Sequence, residues 1–285
     1  MKSKLLSLTW VVFGLAALAF TGCSDDDGTD PDPKINTGDT EVVADDEEVQ
    51  GIFENLEELT NDAITEATNP SGGRLASNFM VCAELSLDLQ NKSLTIDFGQ
   101  GCEGPRGRLR KGKIIISYSG FLFESGSVIT TTFENFEVDG LKIEGTRTVT
   151  NTSGANDNTP KFGVKIEGGK VTWPDGTFAT REVNRTKTWI RANTPLNDEF
   201  HIEGTASGVT RSGRTYKATI TEKVVFKVSC ANDRIFIPTQ GKKDIEVDGS
   251  LKITVDYGDG TCDNTVTLTK GEDSREIDVT DVRQG

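Results

Sequence analysis

Histidine is almost missing from this 285-residue chain: His201 stands alone against 45 acidic and 31 basic side chains. With one imidazole, five cysteines and no Cys-x-x-Cys pair, a zinc site lacks its ligands. There is no Gly-x-Ser-x-Gly elbow, no Walker loop and no dinucleotide fingerprint, which removes the common hydrolase, NTPase and oxidoreductase signatures. Excess positive charge is missing too. The formal net charge is −14, whereas a nucleic-acid footprint needs a net basic face. The apolar run at residues 5–20 is 16 residues long, short of the roughly 20 needed to cross a bilayer as a helix.

The charge is unevenly spread. Residues 24–69 carry 16 Asp and Glu against one Lys, while residues 70–285 carry 29 acidic and 28 basic side chains. The acidity therefore belongs to the segment that precedes the bulk of the chain, and such a segment repels itself and extends.

That segment follows a leader. Lys2 and Lys4 form a basic start, residues 5–20 an apolar stretch, and Phe20-Thr21-Gly22-Cys23 a cleavage-type site with small residues before the cysteine. The pattern is that of a signal peptide over residues 1–22, with Cys23 placed to carry a lipid. Phe20-Thr21-Gly22-Cys23 resembles a bacterial lipobox, and Ser24-Asp25-Asp26-Asp27 resembles the acidic export signal of Bacteroidota surface lipoproteins. The resemblance implies an outer-membrane lipid anchor with the domain on the cell surface.

Residues 23–44 are rich in Asp, Gly, Thr and Pro and read as a disordered tether. Over residues 45–69 Val49, Ile52, Phe53, Leu56, Leu59, Ala63 and Ile64 recur at three- and four-residue spacing, the stripe of an amphipathic helix. Asp45 or Asp46 is positioned to cap it, and Asn69-Pro70-Ser71-Gly72-Gly73 ends it.

From residue 75 to 285 the period becomes two. Leu85, Leu87 and Leu89 alternate with polar residues, as do Leu94, Ile96 and Phe98, and later Leu251, Ile253, Val255 and Tyr257. Turn signals at Asp139-Gly140, Pro174-Asp175-Gly176, Ser212-Gly213 and Asp248-Gly249 separate the runs. The expected fold is all-β: a large antiparallel meander of roughly 12 to 16 strands, curled, sandwich-like or barrel-like, with one N-terminal helix.

Without Cys23, an even set remains: Cys82, Cys102, Cys230 and Cys262. In an exported chain this reads as two disulfides with three connectivities. Two stretches echo each other. Residues 93–102 and 250–262 are both strands ending in Asp-aromatic-Gly-x-Gly and then a cysteine, each with another cysteine upstream. The parallel favours Cys82–Cys102 and Cys230–Cys262. A hairpin pairing Leu89 with Leu94, Leu87 with Ile96 and Leu85 with Phe98 almost aligns the first pair, given a bulge at Gly99 or Gly101. These cysteine hairpins resemble those of β-rich Bacteroidota lipoproteins, a likeness that carries no known activity.

Several residues are candidates for function. Asp256, Asp259 and Asp263 offer clustered oxygens for calcium, although the alternation of an EF-hand is missing. A glycine-bulged, disulfide-held turn is the plainer reading, and no cofactor is otherwise implied. Arg106, Arg108 and Arg110, with Lys111 and Lys113, form the densest basic cluster. It could meet an anionic glycan, a lipid headgroup or the protein's own acidic helix, or could protect an exposed strand. Trp173, Trp189 and Tyr216 are candidate sugar-stacking platforms or core aromatics. His201 sits between Glu199 and Glu203 on one strand face, where either could orient a base or all three could face solvent.

The expected function is a non-catalytic surface module that binds a glycan or another envelope protein, held to the membrane by its lipid and with no nucleic-acid partner. A periplasm-facing carrier of lipid or another apolar ligand is the alternative. A carboxylate-dependent glycoside hydrolase, which needs two acids about 5–10 Å apart in a cleft, comes third.

Overall fold

Alternating apolar and polar residues leave each strand one face to bury, and among the described residues fourteen strands bury it around one α-helix. The structure, a computed structural model, describes residues 34–68, 82–104, 107–154, 157, 159–233, 235–249 and 252–280. The leader, Cys23 with Ser24, Asp25, Asp26 and Asp27, and Arg106 lie outside those residues. Helix α1 (Thr37–Thr68) comes first. It is followed by β1 (Glu84–Asp88), β2 (Ser93–Asp97), β3 (Cys102–Glu103), β4 (Leu109–Tyr118), β5 (Val128–Val138), β6 (Leu141–Asn151) and β7 (Lys161–Thr172). Then come β8 (Phe178–Ile190), β9 (Glu199–Val209), β10 (Thr215–Lys227), β11 (Gln240–Val247), β12 (Lys252–Asp259), β13 (Thr265–Lys270) and β14 (Asp273–Asp278). The sheet is one antiparallel meander in chain order from β1 to β14, with the short β3 pairing only to β4. It curls without closing, because β1 and β14 remain its two ends. Among the described residues no helix is long and apolar enough to cross a membrane.

Glycine bulges shape the curl. At Gly112, with φ +74°, a Cβ would lie 2.1 Å from the Asn135 carbonyl oxygen, so only glycine permits the β4–β5 bulge there. Gly145, at φ +119°, lets β6 and β7 approach in the same way. Asp139-Gly140 closes the β5–β6 hairpin with both residues at positive φ, as the Asp-Gly pair predicts.

The helix starts eight residues before the expected boundary. Asn36 and Asp39 cap it reciprocally: each backbone N–H donates to the other's side-chain oxygen, at 3.0 and 3.1 Å. Val42, Val43 and Ala44, expected in the tether, are fully buried beneath the sheet. Between Asp39 and Gln50 only Glu41 is exposed, so this half of α1 is enclosed rather than resting on one face. The apolar stripe otherwise holds, with Val49, Phe53, Leu56, Leu59 and Ala63 buried and Ile52 and Ile64 half-buried.

Both disulfides form as the internal parallel favours, Cys82–Cys102 and Cys230–Cys262. The first hairpin's register differs from the expected one by two residues: Leu87 pairs with Leu94 and Leu85 with Ile96. Asp88 causes the shift. Its carboxylate accepts from the backbone N–H groups of Gln90 and Asn91, which starts the turn one residue earlier and leaves Leu89 73% exposed.

From β4 onward the connections alternate between two ends of the sheet. One end, the turn end, carries residues 139–140, 173–177, 210–214, 248–249 and 271–272. The other, the loop end, carries residues 119–127, 152–154, 159–160, 191–198, 228–233, 235–239 and 260–264. The start of α1 is at the turn end, where Lys270 pairs with Asp39 and Asp273 accepts from the Ile35 N–H.

Candidate functional site

At the loop end, segment 120–126 breaks the alternating pattern with three bulky apolar residues in a row. Leu122 turns inward onto the core, while Phe121 and Phe123 remain 68% and 55% exposed. The loop is nevertheless fixed. Glu124 accepts from the Phe121 N–H, Asn151 Nδ2 donates to the Leu122 carbonyl at 2.8 Å, and Ser125 Oγ donates to the Ser153 carbonyl at 2.6 Å.

Beside it, Trp189 ends β8. Its indole N–H donates to Asp198 Oδ2 at 2.8 Å, and the same carboxylate accepts from the Ala192 N–H, so one buried aspartate shapes the 191–198 loop. The Trp189 ring lies between Phe123 and Phe200, with centroids 5.7 and 5.8 Å away. The exposed Arg191 guanidinium covers Trp189 at 4.5 Å and Phe123 at 5.2 Å. Among the described residues Arg191 forms no ion pair. Leu196, 45% exposed, and Leu89 add apolar surface on neighbouring connections of the same end. The result is a pre-arranged aromatic surface with an unpaired cation on it.

The other predicted aromatics are elsewhere. Trp173 sits at the turn end, half-buried under the Arg211 guanidinium at 4.4 Å. The 13 residues of β8 separate it from the loop end, about 40 Å of strand. Tyr216 is a correction: it is 6% exposed, and its hydroxyl accepts from Arg181, so it is a core residue with no ring face for a sugar.

The basic cluster is also redrawn. Its strand, β4, is paired on both sides, by β2 and β3 on one and β5 on the other, so these charges protect no exposed edge. Arg108 pairs with Asp139, Lys111 with Glu137 and Lys113 with Asp97. Arg110 is half-buried, which lowers its pKa through desolvation. Cross-strand carboxylates thus neutralise much of the cluster. The calcium candidate is corrected as well. Asp256, Asp259 and Asp263 each accept from a backbone N–H two residues on, as Asx turns. Among the described residues no group of three or more His, Cys, Asp or Glu is placed to hold a metal. His201 is half-buried and meets Glu199 at 3.1 Å.

The sequence reading also misses a charged seam between α1 and the sheet. Asp46 meets Arg181 and Lys243; Glu47 meets Lys243 and the Tyr257 hydroxyl; Gln50 accepts from Arg181 at 3.1 Å and from Arg185 at 2.7 Å. Further along, Glu57 meets Arg147 and Lys187, and Glu54 meets Lys187. Burial alone would raise both carboxyls, but the adjoining cations prevail: Asp46 is held far below the ordinary range and Glu57 is lowered to about 2. The phenols go the other way, since burial pushes both Tyr216 and Tyr257 above their ordinary range. A signal was present. Asp46, Gln50, Glu54 and Glu57 follow helix spacing, about 6 Å per four residues. Arg181, Arg185 and Lys187 share one face of β8, at about 6.7 Å per two residues. The two repeats nearly match, so an acidic stripe and a basic stripe lie side by side.

No protein-family model, curated protein or solved structure matches the chain.

Proposed function

We propose that this protein is a lipid-anchored binding module of a bacterial outer membrane, displayed on the cell surface and non-catalytic, whose contact surface is the loop end. One observation carries the reading: Phe121, Phe123, Arg191, Leu196 and Leu89 are exposed together on connections of one end, held there by internal hydrogen bonds. The described residues begin at the turn end, where the Ile35 N–H donates to Asp273. Exposed aromatic faces suit the C–H faces of sugars, and an unpaired guanidinium suits the carboxylate of an acidic sugar. The favoured partner is therefore an acidic glycan of the cell envelope or its surroundings.

The carrier reading has less support. α1 occupies the face that an apolar cargo would need, and the cavity at the helix–sheet seam, about 20 Å³ and lined by charged and apolar side chains together, is too small for a lipid. The hydrolase reading has less still. The close carboxylate pairs of the seam, Asp46 with Glu47 and Glu54 with Glu57, are paired with cations, and Glu57 at about 2 is no general acid at neutral pH.

An array of acidic and neutral polysaccharides tests the proposal. The native protein should be retained by acidic members, and the double variant Phe123→Ser, Arg191→Gln should lose at least about tenfold of that affinity. Retention of no glycan by the native protein overturns the glycan reading. Protease shaving of intact cells tests display: the native domain is cleaved, and the variant with Asp25, Asp26 and Asp27 changed to alanine is protected.

A further inference from the structure

The charged seam is complete near the turn end and incomplete near the loop end. Asp46 and Glu47 match Arg181 and Lys243 one for one. Farther along, three cations, Arg147, Arg185 and Lys187, meet two carboxylates, Glu54 and Glu57. Among the described side chains one positive charge is left over, and Arg185 holds it. Its one hydrogen bond there runs from Nη1 to the neutral Gln50 amide, and its Nε has no partner among the described residues. Arg147 is paired, with its Nη2 2.6 Å from Glu57 Oε2. Both arginines are 6% exposed.

An uncompensated buried guanidinium is costly, and an unsatisfied buried N–H adds to that cost. Both arginines face the same cavity of about 20 Å³, which also borders Lys187. That space fits a chloride-sized ion and is too small for a sugar or a lipid. We infer that this cavity is an internal binding site for a single monoatomic anion of chloride size, held by Arg185 and Arg147 with Lys187 beside it. The ion takes the charge that Glu54 and Glu57 leave unmatched and accepts from the unpartnered Arg185 Nε–H. The site is separate from the aromatic surface and does not depend on the function proposed for it. Its effect is on the fold: the anion locks α1 to β6 and β8 next to the loop end.

Thermal unfolding of the full chain in sodium chloride, sodium bromide and sodium gluconate at one ionic strength tests the inference. At halide far above its Kd, the midpoint should stand about 5 °C above that in gluconate, with a saturable dependence on halide. Arg185→Met removes the surplus charge and should erase the difference. Equal midpoints for the native protein in all three salts would overturn the inference, leaving water as the occupant. A halide effect that persists in Arg185→Met would also overturn it, since the effect then comes from the surface. Should that variant fail to fold, anomalous diffraction from bromide-grown crystals of the native protein decides. A bromide peak within hydrogen-bond distance of Arg185 Nε supports the site, and water density without bromide there overturns it.

Discussion

The two ends of the sheet are built from different materials. At the turn end the connections are short, Asp-Gly and other Asx turns fix them, and the adjoining half of the seam pairs every charge. At the loop end the connections lengthen, bulky apolar side chains point outward, and among the described residues the seam leaves the Arg185 Nε–H without a partner. A sheet of this size needs closed turns and paired charges to hold its curl, and one end supplies them. The longer connections of the other end carry the exposed side chains to which the proposed binding is assigned.

The contrast can be broken most forcefully at Asp46. Asp46→Ala leaves Arg181 and Lys243 facing each other without their shared carboxylate, 1% exposed. Urea unfolding should show a loss of about 3–5 kcal/mol. A loss below about 1 kcal/mol would mean that the turn-end seam is not the stabilising half.

Next in size is the disulfide that joins two loop-end connections. Cys230 and Cys262 are 32 residues apart, and replacing both with serine should cost about 2–4 kcal/mol by the same measurement. Cys82 and Cys102 close a shorter span of 20 residues, so that pair should cost slightly less.

Acid separates the two halves of the seam. A carboxyl depressed in the folded state stabilises above its unfolded pKa and loses that contribution as pH falls through the folded value. Glu57, lowered from 4.5 to about 2, should lose its contribution between about pH 4.5 and pH 2, and Asp46, held lower still, should follow. Hydrogen exchange on acidification should therefore loosen the loop-end part of α1 before the part around Asp46. The reverse order would contradict the division.

The smallest effect on stability is expected from Phe121→Ser with Phe123→Ser. Both rings are largely in solvent, so the unfolding free energy should change by about 0.5 kcal/mol or less each while glycan retention falls. A large loss of stability would show that the rings belong to the core and not to a contact surface.

Much of the fold was legible because β strands state their inward face every second residue. Ile253, Val255 and Tyr257 are buried together as their parity requires, and the cysteine echoes located both disulfides. The start of α1 was less legible: its caps, Asn36 and Asp39, and its first apolar residues lie within an acidic stretch whose composition reads as tether. The register of the first hairpin turned on one Asx turn at Asp88, a local competition that alternation alone does not settle. Trp189 was recognisable as a candidate, with Arg191 two residues on, whereas its ring neighbours Phe123 and Phe200 come from other stretches of chain.

By itself the sequence determined the strands, the helix, their inward faces and the cysteine pairs, because these follow from local period and internal resemblance. Tertiary structure alone decided which charges would be buried. Asp46, Glu47, Arg181, Arg185 and Lys243 have the composition of a solvated surface, and their place in the interior depends on partners 131 to 210 residues away. A charge enters a protein core only where an opposite charge is already waiting, and that meeting exists only once the sheet has curled around the helix.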